Sequence, residues 1–183
     1  MNQRTVFFVD AAHFVMGSFL GWLWCTVRMC VRAASGRQRY NVLGALNAVT
    51  HELVRVTNDG YVNSTTVCEL LRKIAALKLP TPVTLVMDNA RYQRCRLVQD
   101  LAKELGMELL FLPSYSPNLN LIERLWKFVK KTTLNSRRHA SFAEFQTAID
   151  DCLDRLTTDH KPAIDTLLTH NFQTFGNVTI LSA

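Results

Sequence analysis

The 183-residue sequence has no hydrophobic run long enough to cross a bilayer. Its most apolar stretch, Phe14 to Cys25, falls short of the ~20 residues that a spanning helix needs, and Asp10 and His13 stand just before it. The same aspartate interrupts the apolar start too early for a cleavable secretory signal, so no membrane partner is expected. Cysteine is scarce: Cys25, Cys30, Cys68, Cys95 and Cys152 form an odd, scattered set without a C-x-x-C pair. That pattern excludes a disulfide framework and a zinc ribbon, and a reducing, cytoplasmic setting is expected. Internal repeats, linkers and low-complexity segments are also missing, and the length suits a single domain over residues 1–183. There is no P-loop, no H-E-x-x-H and no Ser-His-Asp arrangement, so the chemistry has to come from other groups.

Acidic residues are outnumbered, 15 Asp and Glu against 21 Lys and Arg, which gives a net charge of +6. The resulting field favours an anionic partner, with nucleic acid the first candidate, although a basic balance alone does not separate a nucleic-acid enzyme from a merely soluble basic protein. The 48% hydrophobic and 20% charged content is that of an ordinary globular chain.

Thr5 to Val9 is a run of β-branched and aromatic residues that predicts a buried strand ending at Asp10. Gly21 to Arg32, Tyr40 to Val49 and Glu52 to Thr57 predict further strands of a meander, with Ser35-Gly36 and Asn58-Asp59-Gly60 as turn signals. Val67, Leu70, Leu71 and Ile74 recur at helical spacing and predict an amphipathic helix from Ser64 to Leu77, ended by Pro80 and Pro82. Val83 to Met87 is a second apolar strand, again followed by an aspartate, Asp88. A helix from Cys95 to Leu105, stopped by Gly106, leads to a strand from Met107 to Leu112, which implies parallel pairing through a right-handed crossover. Further helices are expected from Asn120 to about Leu134 and from Ser141 to about Leu156, with a short helix and an irregular end beyond Lys161. A meander followed by alternating helices and strands is an α/β mixed sheet with helices on its faces.

Asp10 and Asp88 both follow apolar strands, and ligand sites in open α/β sheets gather beyond the carboxyl ends of the strands. Either aspartate alone reads more readily as a turn former or helix cap. Glu123 changes the weighing, because it sits on the helix beginning near Asn120. Asn-x-x-Glu there also resembles a capping box. On the helical wheel, however, Glu123 points away from Leu121, Ile122, Leu125, Phe128 and Val129, toward Lys127, Lys130 and obliquely Lys131. Surface ion pairs account for that composition, and so does a surface that holds a cation and a phosphate backbone together. Three carboxylates suit two Mg²⁺ or Mn²⁺ ions, hard cations that prefer oxygen, and a pair of them drives phosphodiester displacement without a protein nucleophile.

The segment VMDNARYQ, from Val86 to Gln93, and LPSYSPNLNLIERLWKFVK, from Leu112 to Lys130, resemble the second and third motifs of the DDE transposases related to mariner and to bacterial insertion sequences. The thirty-four residues between Asp88 and Glu123 match the spacing of that group, and FFVDAAHF, from Phe7 to Phe14, occupies the place of its first motif. The resemblance implies a ribonuclease H-like fold, a mixed five-stranded sheet flanked by helices. It also implies hydrolysis at transposon ends followed by attack of the freed 3′-hydroxyl on target DNA. Asp10 is then shared by two Mg²⁺ (or Mn²⁺) ions, with Asp88 and Glu123 each favouring one. The partners implied are DNA, as transposon ends and target, and a second copy in a homodimer, in a bacterial, nucleoid-associated setting.

Two departures stand out. Asn120-Leu121-Ile122-Glu123 replaces the Asn-Pro-x-Glu of many relatives, and Ala11 stands where many have glutamate. Leucine is acceptable at the start of a helix, and Asp10 is retained. The helix-turn-helix modules that relatives carry before the catalytic domain are expected to be absent. Arg91, Arg94, Lys127, Lys130 and Lys131, with Arg96, Arg137 and Arg138, are the candidate phosphate contacts, though each alone reads as a solvated charge. His13 reads as a structural hydrogen-bonder before it reads as a group assisting metals, and Trp126 as core before a base-stacking platform. The competing readings are a ribonuclease H-like nuclease that cuts without joining, an inactive regulator of a full-length transposase, and a DNA-binding module with structural carboxylates.

Overall fold

A computed structural model describes residues 4–17, 38–113, 119–135, 137 and 139–169 of the chain. Five strands, β1 (Thr5–Val15), β2 (Arg39–Asn47), β3 (Leu53–Asn58), β4 (Val83–Met87) and β5 (Met107–Phe111), form one sheet in the order β3-β2-β1-β4-β5. The β1–β2 and β2–β3 pairs are antiparallel, whereas β1–β4 and β4–β5 are parallel. This is the mixed five-stranded sheet that the motif resemblance implies. The expected strand at Gly21 to Arg32 and the turn at Ser35-Gly36 lie outside the described residues.

Among the described residues five helices cover the sheet: α1 (Ser64–Ala76), α2 (Arg96–Glu104), α3 (Ile122–Thr133), α4 (Phe142–Asp154) and α5 (Lys161–Leu167). Local chemistry sets their ends. Asn63 caps α1 by accepting from Thr66 N while the Thr66 hydroxyl faces the Asn63 N–H, a reciprocal capping box. Gly106, at φ +67°, closes α2 in the left-handed region that glycine enters without strain. Ser141 caps α4 by accepting from Glu144 N, and the Glu144 carboxylate accepts from Ala140 N in return.

Strand alternation divides the core between the two faces of the sheet. Phe7, Val9, Leu43, Ala45, Leu85 and Met87 meet α1 and α2 through Val67, Leu70, Leu71, Ile74, Val98 and Ala102. Phe8, Ala12, Phe14, Val42, Leu46 and Val86 meet α3, α4 and α5 through Leu121, Leu125, Trp126, Val129, Phe145 and Ile149. Among the described residues no helix is long and apolar enough to cross a membrane.

One expectation needs correction. β1 does not end at Asp10 but runs to Val15, because β2 continues to pair with it through Phe14↔Tyr40 and Val15↔Arg39 after β4 has stopped. An aspartate in an apolar run reads locally as a strand end, and only the long-range partner shows that the strand continues. Asp10 nonetheless stands at a boundary, since the β1–β4 ladder finishes at Val9↔Met87.

Candidate active site

The parallel register pairs Val9 with Met87, so the next residues along the two strands, Asp10 and Asp88, come level with each other. Alternation sends Phe8, Ala12 and Phe14 to the α3 side, and Asp10 shares their parity. Val86 lies on the same side of β4, two residues before Asp88. The loop after Asp88 then folds back on its carboxylate. Ala90 N donates to Asp88 Oδ1 at 2.9 Å, an Asx turn of the kind Asp forms readily. The fully buried Gln93 amide lies 2.7 Å from both Asp88 Oδ1 and the Asp88 carbonyl. Two acceptors at that distance require the amide nitrogen to face them, so Gln93 donates to both.

Glu123 is carried by the first turn of α3, which crosses β1. The capping box suggested by Asn-x-x-Glu does not form: α3 begins at Ile122 without a side-chain cap. Asn120 is instead 4% exposed, and its Nδ2 donates to Val9 O at 3.3 Å. The residue before Asp10 is thereby tied to the start of the helix that bears Glu123, at the point where the β1–β4 ladder ends. Asn120 Oδ1 is buried without a hydrogen-bond partner, and an orphan of this kind costs about 1–3 kcal/mol.

Trp126, one turn further along α3, is 3% exposed and belongs to the core, as its spacing suggests. Its Nε1 also donates to Asp10 Oδ2 at 3.1 Å, a link across 116 residues that helical spacing does not reveal. Gly44 makes room for the ring. It pairs with Asp10 across β1–β2, and a Cβ there would lie 2.9 Å from Trp126 Cη2 and 3.0 Å from Leu53 Cδ1. A lone glycine inside the apolar strand YNVLGALN was the available signal, since such glycines mark a close approach by another group.

Burial pushes the Asp10 pKa up to about 7; the neighbouring Glu123 and Asp88 charges push the same way, and hydrogen bonds from the Ala11 N–H and Trp126 hold it back. Asp10 therefore lies within the field of both other carboxylates. Burial likewise raises the Tyr92 hydroxyl to about 12, with the Asp88 and Asp10 charges adding to it. Among the described residues, Asp10, Asp88 and Glu123 form no ion pair. Nor does any group of three His, Cys, Asp or Glu side chains stand close enough to hold an ion as arranged. The chemistry of the donor set still fits a hard cation: oxygen atoms only and, among the described residues, with no ion pair to a basic side chain.

Arg91 and Arg94 are exposed on the loop after Asp88, and Lys127, Lys130 and Lys131 are exposed on α3. Lys130 Nζ lies 5.9 Å from the centre of the Phe14 ring. Arg96 is engaged by Asp100 at 3.4 Å, while Arg138 lies outside the described residues. His13 falls on the other face of β1, where its Nδ1 is 2.6 Å from Asn41 Oδ1, and Asn41 Nδ2 donates in turn to Asn58 and Gly60. The histidine is thus a structural hydrogen-bonder, remote from Asp10 by strand parity.

The profile of the DDE superfamily endonucleases matches residues 26–146. An insertion element IS630 protein of 39 kDa from Shigella sonnei is 25% identical over 142 residues, which cover 76% of this chain and 41% of that protein. The chain thus spans about two fifths of the length of the curated relative it matches. The Mos1 mariner paired-end complex with Mn superposes with a TM-score of 0.65 at 14% identity, covering 94% of this chain and 56% of that one. The Mos1 transposase catalytic domain solved with Raltegravir and Mg has a TM-score of 0.58 at 13% identity, covering 96% and 86%. At that identity the likeness concerns the fold, which is the ribonuclease H-like one expected from the motifs.

Proposed function

The chain belongs to the DDE superfamily of endonucleases, and from that premise we propose that it is a transposase catalytic domain in which Asp10, Asp88 and Glu123 hold two Mg²⁺ or Mn²⁺ ions and carry out DNA cleavage and strand transfer at transposon ends. The observation that supports this reading is the Val9↔Met87 register, directly after which Asp10 and Asp88 follow in their chains, together with the effect of the Glu123 and Asp88 charges on Asp10. Held there, a cation pair would stabilise both the attacking and the leaving oxygen of a phosphodiester displacement. The division expected from the motifs gives Asp10 to both ions and one each to Asp88 and Glu123.

The protein's own residues prepare the rest. Asn120 and Trp126 fix β1 and the Asp10 carboxylate relative to α3, and Gln93 with the Ala90 N–H fixes Asp88. Arg91, Arg94, Lys127, Lys130 and Lys131 flank the carboxylates and supply phosphate contacts that position DNA without reading its sequence. The active assembly is proposed to be a homodimer that brings two transposon ends together and joins them to target DNA.

Asp10→Asn, Asp88→Asn and Glu123→Gln are each expected to abolish Mn²⁺-dependent cleavage of end-containing duplex while leaving the melting temperature within a few degrees of wild type. Retained cleavage in one of the three removes that residue from the site. Joining of a precleaved 3′-hydroxyl end separates a strand transferase from a nuclease that only cuts.

A further inference from the structure

Each aspartate has one oxygen engaged by a buried, neutral donor. Trp126 Nε1 holds Asp10 Oδ2 at 3.1 Å, and the Gln93 amide holds Asp88 Oδ1 at 2.7 Å. Neither donor has room to turn away. Trp126 is wedged over Gly44 and meets the edge of Phe14, with ring centres 6.3 Å apart, and Gln93 is wholly buried. From this arrangement we infer that Trp126 and Gln93 are positioning residues that restrict Asp10 and Asp88 to single-oxygen ligation, and so make the site discriminate against calcium. The inference rests on the three-carboxylate reading above.

Two features of the donors give it physical content. They are uncharged, so they orient a carboxylate without supplying the positive charge that a cation brings, as a lysine or arginine would. They also point one oxygen of each carboxylate at protein. Chelation by both oxygens of one carboxylate requires both to face the ion, and a hydrogen bond from a buried, immobile N–H opposes that rotation. Ca²⁺ gathers roughly six to eight oxygens and takes bidentate carboxylates readily, whereas Mg²⁺ requires a near-ideal octahedron that single oxygens and waters satisfy. Both pinned oxygens therefore work against the larger ion.

The test is ion binding by the whole chain. Trp126→Phe keeps a ring over Gly44 and loses the N–H; Gln93→Met keeps the length and loses the amide. Mn²⁺ binding followed by electron paramagnetic resonance, with Ca²⁺ as competitor, gives the ion preference directly, and thermal melting confirms that each variant is folded. The preference of wild type for Mn²⁺ over Ca²⁺ is expected to narrow about 10-fold in each variant, the low end of the scale on which groups that orient metal ligands change metal affinity. In the metal-free protein the indole N–H resonance missing from Trp126→Phe is expected to move in Asp10→Asn, which reads the contact without any ion. Wild-type binding that is lost in Asp10→Asn but keeps its Mn²⁺ to Ca²⁺ ratio in both folded variants overturns the inference alone. A wild type that binds no Mn²⁺ overturns both the inference and the reading it rests on. Should Trp126→Phe fail to fold, Gln93→Met decides the matter through the other aspartate.

Discussion

The two faces of the sheet are built from the same strands, yet they are packed to different standards. On the α1–α2 face the buried polar groups are satisfied: Asn41 bonds His13, Asn58 and Gly60, and Asn47 accepts from Val49 N and Thr50 N. On the α3–α5 face the half-buried Asp10 stands beside two like charges, and Asn120 Oδ1, just ahead of α3, is buried without a hydrogen-bond partner, while Asp150 Oδ1 on α4 is met only by the Arg55 guanidinium at 3.4 Å. One face supplies cohesion, while the other carries the electrostatic strain that a cation site requires. The comparison predicts that mutations on the first face cost stability and spare ion binding, and that mutations on the second do the reverse.

The largest effect is expected on the cohesive face. Leu71 is completely buried on α1, and Leu71→Ala removes its contacts and leaves a cavity, at a cost of about 2–5 kcal/mol. Denaturant unfolding measures that loss, while Mn²⁺ affinity of the remaining folded protein should stay at the wild-type value; a parallel fall in affinity breaks the division between the faces. Gly44→Ala comes next. The added methyl meets the Trp126 ring at 2.9 Å, and overpacking of this sort costs about 1–3 kcal/mol. Because the ring that has to move is the one holding Asp10, cleavage should fall further than the stability loss explains. Asn120→Leu is smaller still. It removes the bond to Val9 O together with the orphaned Oδ1, opposite terms that leave stability within about 1 kcal/mol of wild type, whereas Mn²⁺ binding should weaken as Asp10 loses its tie to α3.

How much was legible in the sequence follows the same division. Val67, Leu70, Leu71 and Ile74 announce α1 by local spacing, and Val83 to Met87 announces β4 to the residue, because the α1–α2 face consists of apolar periods read within a dozen residues. Asp10, Asp88 and Glu123 were named as candidates through their motifs. What arranges them was not: the Trp126–Asp10 and Asn120–Val9 bonds join residues 116 and 111 apart. A buried tryptophan reads as core whether or not its N–H meets a carboxylate. Asn120 reads as a helix cap because the local pattern is a capping box, and only the approach of β1 draws its side chain elsewhere. The end of β1 was misplaced for a related reason, since strand length is settled by the partner strand rather than by the strand's own residues.

The smallest effect tests whether the α3–α5 face is held to the sheet by charge or by packing. Arg55 on β3 reaches Asp154 on α4 at 2.8 Å and Asp150 at 3.4 Å, and its hydrogen bond to Asp154 holds that carboxyl below its ordinary pKa. A depressed folded pKa stabilises the native state above the unfolded value near 3.8, and that stabilisation disappears as pH falls through the folded pKa. Asp154 is 65% exposed, so solvent and salt screen the pair, and Asp154→Asn should cost no more than about 0.5 kcal/mol at pH 7. The difference between wild type and variant should shrink below pH 4 and in high salt, as read from urea midpoints. Packing from Phe145, Ile149 and Leu153 then does most of the work of seating α4. A loss of several kcal/mol in Asp154→Asn would instead make the Arg55 pair the main fastening of the functional face, and the contrast between a cohesive face and a strained one would have to be redrawn.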